Sequence, residues 1–142
     1  MKVHKIVLDT NVIVSGLRSS EGASYKLLMA LDDPRLHFYL SVTLVLEYES
    51  AIKRSSTGIR LSAAEKDSVL DYLCRTGIHQ QVHFLWRPFL KDPSDDMVLE
   101  LAVAAGADRL VTFNQADFKG SEKFGVRAVK PQEILKLLGG IS

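Results

Sequence analysis

Five short aliphatic runs, Lys2–Leu8, His37–Leu40, Gln80–Leu85, Arg109–Phe113 and Gly125–Val129, are separated along the chain by segments of helical period. This alternation constrains the fold more than any other feature. A strand that returns through a helix comes back to the same end of its sheet and pairs in parallel, whereas antiparallel neighbours need only a tight turn. The predicted class is therefore α/β, a three-layer α/β/α arrangement on a mainly parallel central sheet of about five strands. Lys2–Leu8 lacks a clean polar–apolar alternation, as a strand covered on both faces does. At 142 residues the chain reads as one domain, residues 1–142, long enough to bury a core.

The intervening segments carry their own start and stop signals. Thr10–Leu17 and Gly22–Leu31 have helical character, broken at Ser19-Ser20-Glu21-Gly22. Ser41 or Thr43 caps a helix reaching about Ser55, with Leu44, Tyr48, Ala51 and Ile52 on one face. Ser62 with Glu65 three residues on is a capping-box pattern, opening a helix to about Thr76. Asp92-Pro93 places a capping acid before proline at the first helical position, and Gly106 ends that helix after Ala105. In it, Met97, Leu101 and Ala104 form the expected core stripe, opposite Asp96 and Glu100. Pro131 opens a last helix that ends at Gly139-Gly140.

Net charge is only +1, so any contact with nucleic acid has to be local rather than a bulk electrostatic effect. Lys53–Arg60 is one such stretch, with three cations and no acid, and it reads equally as a solvated loop. No apolar run approaches the ~20 residues that a membrane-spanning helix needs, and the opening residues do not resemble an export signal. A lone cysteine, Cys74, forms no intramolecular disulfide and suits a reducing compartment, so a cytoplasmic protein is expected.

In an open α/β sheet the ligand site lies beyond the carboxyl ends of the strands. Asp9 and Asn11 follow the first strand; Thr112, Asn114 and Asp117 follow the fourth. The helix between the third and fourth strands begins with Asp92, Asp95 and Asp96, and Glu47 and Glu49 interrupt the apolar segment LVLEYES. Each has a structural explanation as well: Asp9 and Asp92 as N-caps, Asp95 as a first-turn acid complementing the helix dipole, Glu47 as a surface residue. Together, however, separate segments deliver carboxylates to one end of the sheet. Two unit charges 4 Å apart repel by about 4 kcal/mol at an effective dielectric near 20. A hard divalent cation relieves that repulsion, and an all-oxygen donor set favours Mg²⁺ or Mn²⁺ over zinc, hence phosphodiester chemistry.

Other site patterns fit less well. HQQVH, His79 to His83, lacks the Glu of a zinc HExxH helix. No Walker loop, GxSxG or GxGxxG occurs. A haloacid-dehalogenase-like phosphatase needs a second Asp where Asn11 stands. A receiver domain needs an acid pair after the first strand, and only Asp9 is there.

VLDTNVIVSG, DPSDDMVLELAVAAGADRLVT, TFNQADF and VKPQEIL, in this order and spacing, resemble a PIN domain, in particular the VapC-like ribonucleases of toxin–antitoxin pairs. The resemblance implies a PIN-like fold and a Mg²⁺- or Mn²⁺-dependent endoribonuclease that leaves a 5′-phosphate. It implies Asp9, Glu47, Asp96, Asn114 and Asp117 as the catalytic group, with Asp9, Asp96 and Asp117 on the metal. Asp96 is chosen over Asp95 because it stands 18 positions before Asn114; helical period does not separate Glu47 from Glu49. Asn11 and Thr112 are expected to order the site, and Arg18, Lys53 and Arg54 to contact RNA. A protein antitoxin and a homodimer are the implied partners. Asn114 stands where many members carry Asp, so a PIN-like module that binds RNA or a partner without cutting is the alternative.

Overall fold

The computed structural model describes residues 2–83 and 89–139. Its strands are β1 (His4–Leu8), β2 (Leu36–Leu40), β3 (Ile78–His79), β4 (Arg109–Val111) and β5 (Arg127–Val129). All pair in parallel, in the order β3-β2-β1-β4-β5. The helices are α1 (Thr10–Arg18), α2 (Ala23–Met29), α3 (Val42–Lys53), α4 (Ala63–Thr76), α5 (Pro93–Ala105) and α6 (Pro131–Leu137). α2 packs with α1 and α6, while α5 lies across β1, β2 and β4 beside α3. No helix among the described residues is long and apolar enough to cross a membrane.

β1 is central, and its Ile6, Val7 and Leu8 are fully buried, which explains why it shows no alternation. Strand order reverses around it: β2 and β3 continue on one side, β4 and β5 on the other. The crevice at such a reversal is where doubly wound sheets bind ligands. Leu8 is in register with Val111, so the residues leaving β1 and β4 emerge side by side.

The caps fall where the local signals place them. Ser41 Oγ accepts from the Leu44 N–H, and Ser62 and Glu65 form a reciprocal capping box. Asp92 accepts from the Ser94 N–H, and Gly106 ends α5 in the left-handed region at φ 67°. Three expectations fail. β3 is Ile78–His79, not a run from Gln80 to Leu85: its ladder ends with Gln80 N–H on the Leu40 carbonyl, because at Ser41 the partner strand turns into α3. Gln80–His83 is irregular, and Phe84 and Leu85 lie outside the described residues. Gly125, at φ 78°, closes a 3-10 turn, so β5 starts later than expected. On α5 the buried residues are Asp96, Val98, Leu99, Leu101 and Ala102, while Ala104 is exposed. That helix is covered over a wide arc, so the single-stripe reading put Asp96 on the wrong side.

Candidate active site

Asp9 leaves β1 and caps α1. Its backbone N–H continues the ladder to the Val111 carbonyl at 2.9 Å. One carboxylate oxygen accepts from the Thr10 N–H at 2.8 Å, and the other accepts from the Thr112 hydroxyl at 2.7 Å. The strand-end and cap readings are therefore both true of this residue. Thr112 is fully buried. Its hydroxyl oxygen in turn accepts from the Asn114 N–H at 3.0 Å and the Asn11 side-chain amide at 3.5 Å. Asn11 Oδ1 accepts from the Phe113 N–H at 3.4 Å. This network ties the ends of β1 and β4 together and fixes the orientation of the Asp9 carboxylate. Behind it, the buried Tyr48 on α3 donates its hydroxyl proton to the Leu8 carbonyl.

The acids at the start of α5 divide by direction. Asp96 is buried, and its Oδ1 accepts from the N–H groups of Phe89 (3.2 Å) and Leu90 (2.9 Å). Its carboxylate anchors the chain entering α5. Asp95, half-buried, lines a cavity with Asp92, Asp117, Lys91 and Lys119. Asp92 and Asp95 are three apart and stack on one helix face; that i,i+3 pair was the sequence signal for Asp95, hidden because Asp92 already had a capping role. Helix neighbours point about 100° apart, so Asp95 and Asp96 serve different surroundings.

Electrostatics reports the same grouping. Burial raises the Asp9 pKa; the hydrogen bonds from Thr112 and Thr10 oppose this, and the charges of Asp117 and Asp92 add to it. Asp95 is pushed up to about 6 by burial and by Asp9, Asp92, Asp117 and Asp96. Neighbouring carboxylate charges thus add to burial in raising both Asp9 and Asp95. Because Asp95 holds its proton more tightly folded than unfolded, the native state binds more protons between pH ~4 and about 6. Its contribution to stability therefore falls as pH rises through that window and stays low above it. In EDTA, Asp95→Asn is expected to lessen this fall and to melt higher than the unsubstituted chain at pH 7. Thermal melts at pH 4 and pH 7 check this; an Asp95→Asn curve parallel to the wild-type curve would contradict it.

The other expected site residues scatter. Asp117, exposed, sits on the 3-10 turn Gln115–Phe118 and lines the acid cavity. Asn114 is exposed, joined to the network through its backbone N–H. Glu49 is paired with Lys53 at 3.1 Å, and Lys53 also reaches Asp67 at 3.4 Å, so neither Glu49 nor Lys53 is turned to the cavity group. Glu47 is half-buried and is not among the charges acting most strongly on Asp9 or Asp95. Arg18 and Arg54 border a second groove with Asn11 and Phe113. His79 gives no zinc helix: it is in β3, 2.9 Å from the Cys74 carbonyl.

Among the described residues, no three acidic, histidine or cysteine side chains are gathered closely enough to hold a metal ion by themselves. The donors still suit a hard divalent cation: all are oxygen, Asp92, Asp95 and Asp117 line one cavity, and the charge of Asp9 acts on Asp95 there. Mg²⁺ in particular retains waters and takes one or two carboxylates plus substrate phosphate.

A family model described as PIN domain matches residues 5–116. No curated protein matches the chain. Among solved structures, it is similar to a chain of VapBC2 from Rickettsia felis, bound to a DNA fragment from their promoter. The two share 16% identity at a TM-score of 0.57, covering 89% of this chain and 98% of that one. It is also similar to a chain of FitAB bound to an IR36 DNA fragment, at 18% identity and a TM-score of 0.54, covering 89% and 94%. These likenesses are of fold.

Proposed function

The chain belongs to the PIN domain family, whose members are generally nucleases, and from that premise we propose a metal-dependent endoribonuclease acting as the toxin of a toxin–antitoxin pair. The observation that carries the activity is the placement of buried Asp9 at the strand-order reversal, electrostatically coupled to Asp92, Asp95 and Asp117. The likeness of fold to chains of VapBC2 and FitAB supports the toxin assignment and a protein antitoxin as partner. The cytoplasm and a homodimer complete the proposal; Val42 and Leu46, both well exposed on α3, offer apolar surface for association.

In this reading Asp9, Asp95 and Asp117 would hold Mg²⁺ or Mn²⁺ only together with water and the substrate phosphate, and Asp96 shapes the entry to α5 beside them. The bound ion supplies Lewis-acid stabilisation of the phosphodiester and lowers the pKa of attacking water. Thr112 holds one Asp9 oxygen in place, so the carboxylate does not turn away when substrate enters. Asn11 steadies Thr112 and, through the Phe113 N–H, the loop after β4. Water adds to phosphorus as the bond to the 3′ oxygen breaks, giving a 5′-phosphate and a 3′-hydroxyl.

Purified protein is expected to cut an end-labelled RNA with Mn²⁺ or Mg²⁺ but not with EDTA, and Asp9→Asn prepared identically is expected to be inactive. Equal activity in the variant means a contaminating nuclease. Absence of cleavage with metal binding intact by calorimetry favours a binding module instead, the reading to which Asn114 lends weight.

A further inference from the structure

The acid cavity, about 490 Å³, is walled by two distant parts of the chain. One wall runs from Phe89 to Asp95 at the start of α5, the other from Ala116 to Lys119 through the 3-10 turn. Asp95 stands on the first and Asp117 on the second. The Phe89 side chain reaches from its own wall to the end of the other. Its Cζ lies 3.1 Å from where a Cβ on Gly120 would stand, and its ring meets Phe124 edge-on, with centroids 5.2 Å apart. We propose that Phe89 is a positioning residue: its ring straps the two walls together, fixes the separation of Asp95 from Asp117, and so sets how tightly the site holds its divalent cation. The inference rests on the metal-dependent reading for the cation and adds to it a residue outside the carboxylate group.

Both ends of the strap are rooted. The Phe89 N–H is held by the buried Asp96 carboxylate at 3.2 Å. Gly120 stands between Phe118 and Ser121, both buried, and the Ser121 hydroxyl donates to the Val126 carbonyl at 2.8 Å. Glycine suits that position twice over, since its φ is 96° and any Cβ would be forced against the Phe89 ring. The edge-on geometry is the one that aromatic pairs prefer, yet Phe89 and Phe124 remain 39% and 40% exposed. Filling a core would bury them; joining two surface segments does not. A restraint is needed because the walls carry like charges, Asp92 and Asp95 facing Asp117, and like charges favour separation. Among the described residues no three ligand side chains hold an ion by themselves, so water and phosphate complete its shell, and the cavity has room for several waters at ~30 Å³ each. Holding an ion in this way depends on the width of the gap.

The test uses the full chain and two readouts, amide hydrogen exchange in EDTA and Mn²⁺ affinity by calorimetry. Phe89→Ala is expected to speed exchange across residues 115–125 and leave α2 unchanged, since only the strapped wall is released. It is also expected to weaken Mn²⁺ binding about ten-fold, the lower end of what losing a group that orients a metal ligand costs. Cleavage by this variant should recover as Mn²⁺ is raised. Phe124→Ala leaves the Phe89 contact with Gly120 in place and should shift both readouts less, in the same direction; it carries the test if Phe89→Ala does not fold by circular dichroism. Leu137→Ala on α6, similarly exposed, should shift neither. Unchanged exchange or unchanged Mn²⁺ affinity in a folded Phe89→Ala overturns the inference. Tight Mn²⁺ binding by wild type and variant alike upholds the metal reading and defeats the strap. Faster exchange in the variant, with no Mn²⁺ bound even by wild type, defeats the metal reading, and with it the role of the strap toward the cation.

Discussion

Asp95→Asn is expected to lower metal-dependent RNA cleavage by more than ~100-fold and to leave the fold intact, while Asp96→Ala is expected to lose about 2–4 kcal/mol of stability. Removal of a group that merely orients a metal ligand typically costs ten- to hundred-fold, so loss of a ligand should exceed that. Among the described residues no hydrogen bond to the Asp95 carboxylate holds the fold together; it is partly buried among the charges of Asp9, Asp92, Asp117 and Asp96. Asp96 is the opposite case. Its single oxygen Oδ1 serves two backbone donors, and one of them belongs to Leu90, only 8% exposed. Alanine leaves both N–H groups without that acceptor, at ~1–3 kcal/mol for each buried one. Asp96→Asn keeps an oxygen that can face the same donors and should be milder. Urea unfolding and cleavage rates measured on the same preparations separate the two roles. Full stability together with lost cleavage in Asp96→Asn would instead make Asp96 the metal ligand and Asp95 its neighbour.

Tyr48→Ala is expected to cost about 3–5 kcal/mol, the range for deleting a large buried ring, because Tyr48 is 1% exposed in the core between α3 and the sheet. The more informative substitution is Tyr48→Phe. It retains the ring and removes only the proton given to the Leu8 carbonyl, the last peptide group before Asp9. An unpaired buried carbonyl costs ~1–3 kcal/mol. Since that carbonyl belongs to the peptide unit leading into Asp9, cleavage should also fall, by roughly ten-fold. Burial keeps the Tyr48 hydroxyl protonated far above neutrality, so this effect should not vary with pH between 6 and 8. Wild-type kcat in Tyr48→Phe, with only a lower unfolding midpoint, would confine Tyr48 to the core.

Most of the architecture could be read from local patterns because the forces involved act within a few residues. Ser62 and Glu65 satisfy each other's backbone donors, Pro93 is tolerated where no helical N–H is needed, and Gly106, having no Cβ, takes a left-handed turn without steric cost. Asp9 also stood out, since a carboxylate ending an apolar run must either cap or bind. Where those forces yield to contacts between distant segments, the local reading stopped. β3 was misplaced because its length depends on where β2 ends, and the helical stripe on α5 was misread because that helix meets three strands.

The sequence by itself determined the alternation of strands and helices, the parallel sheet it compels, and the delivery of Asp9, Thr112 and Asp117 to one end of that sheet. Only the tertiary structure decided that Asp96 turns to the loop at Phe89 and Leu90 while Asp95 turns to the cavity. Likewise, it alone brought Arg18, Arg54 and Phe113 to one groove. The reason is range: capping and periodicity are settled within a turn or two of chain, but a site is made of side chains whose surroundings arrive from elsewhere in the sequence.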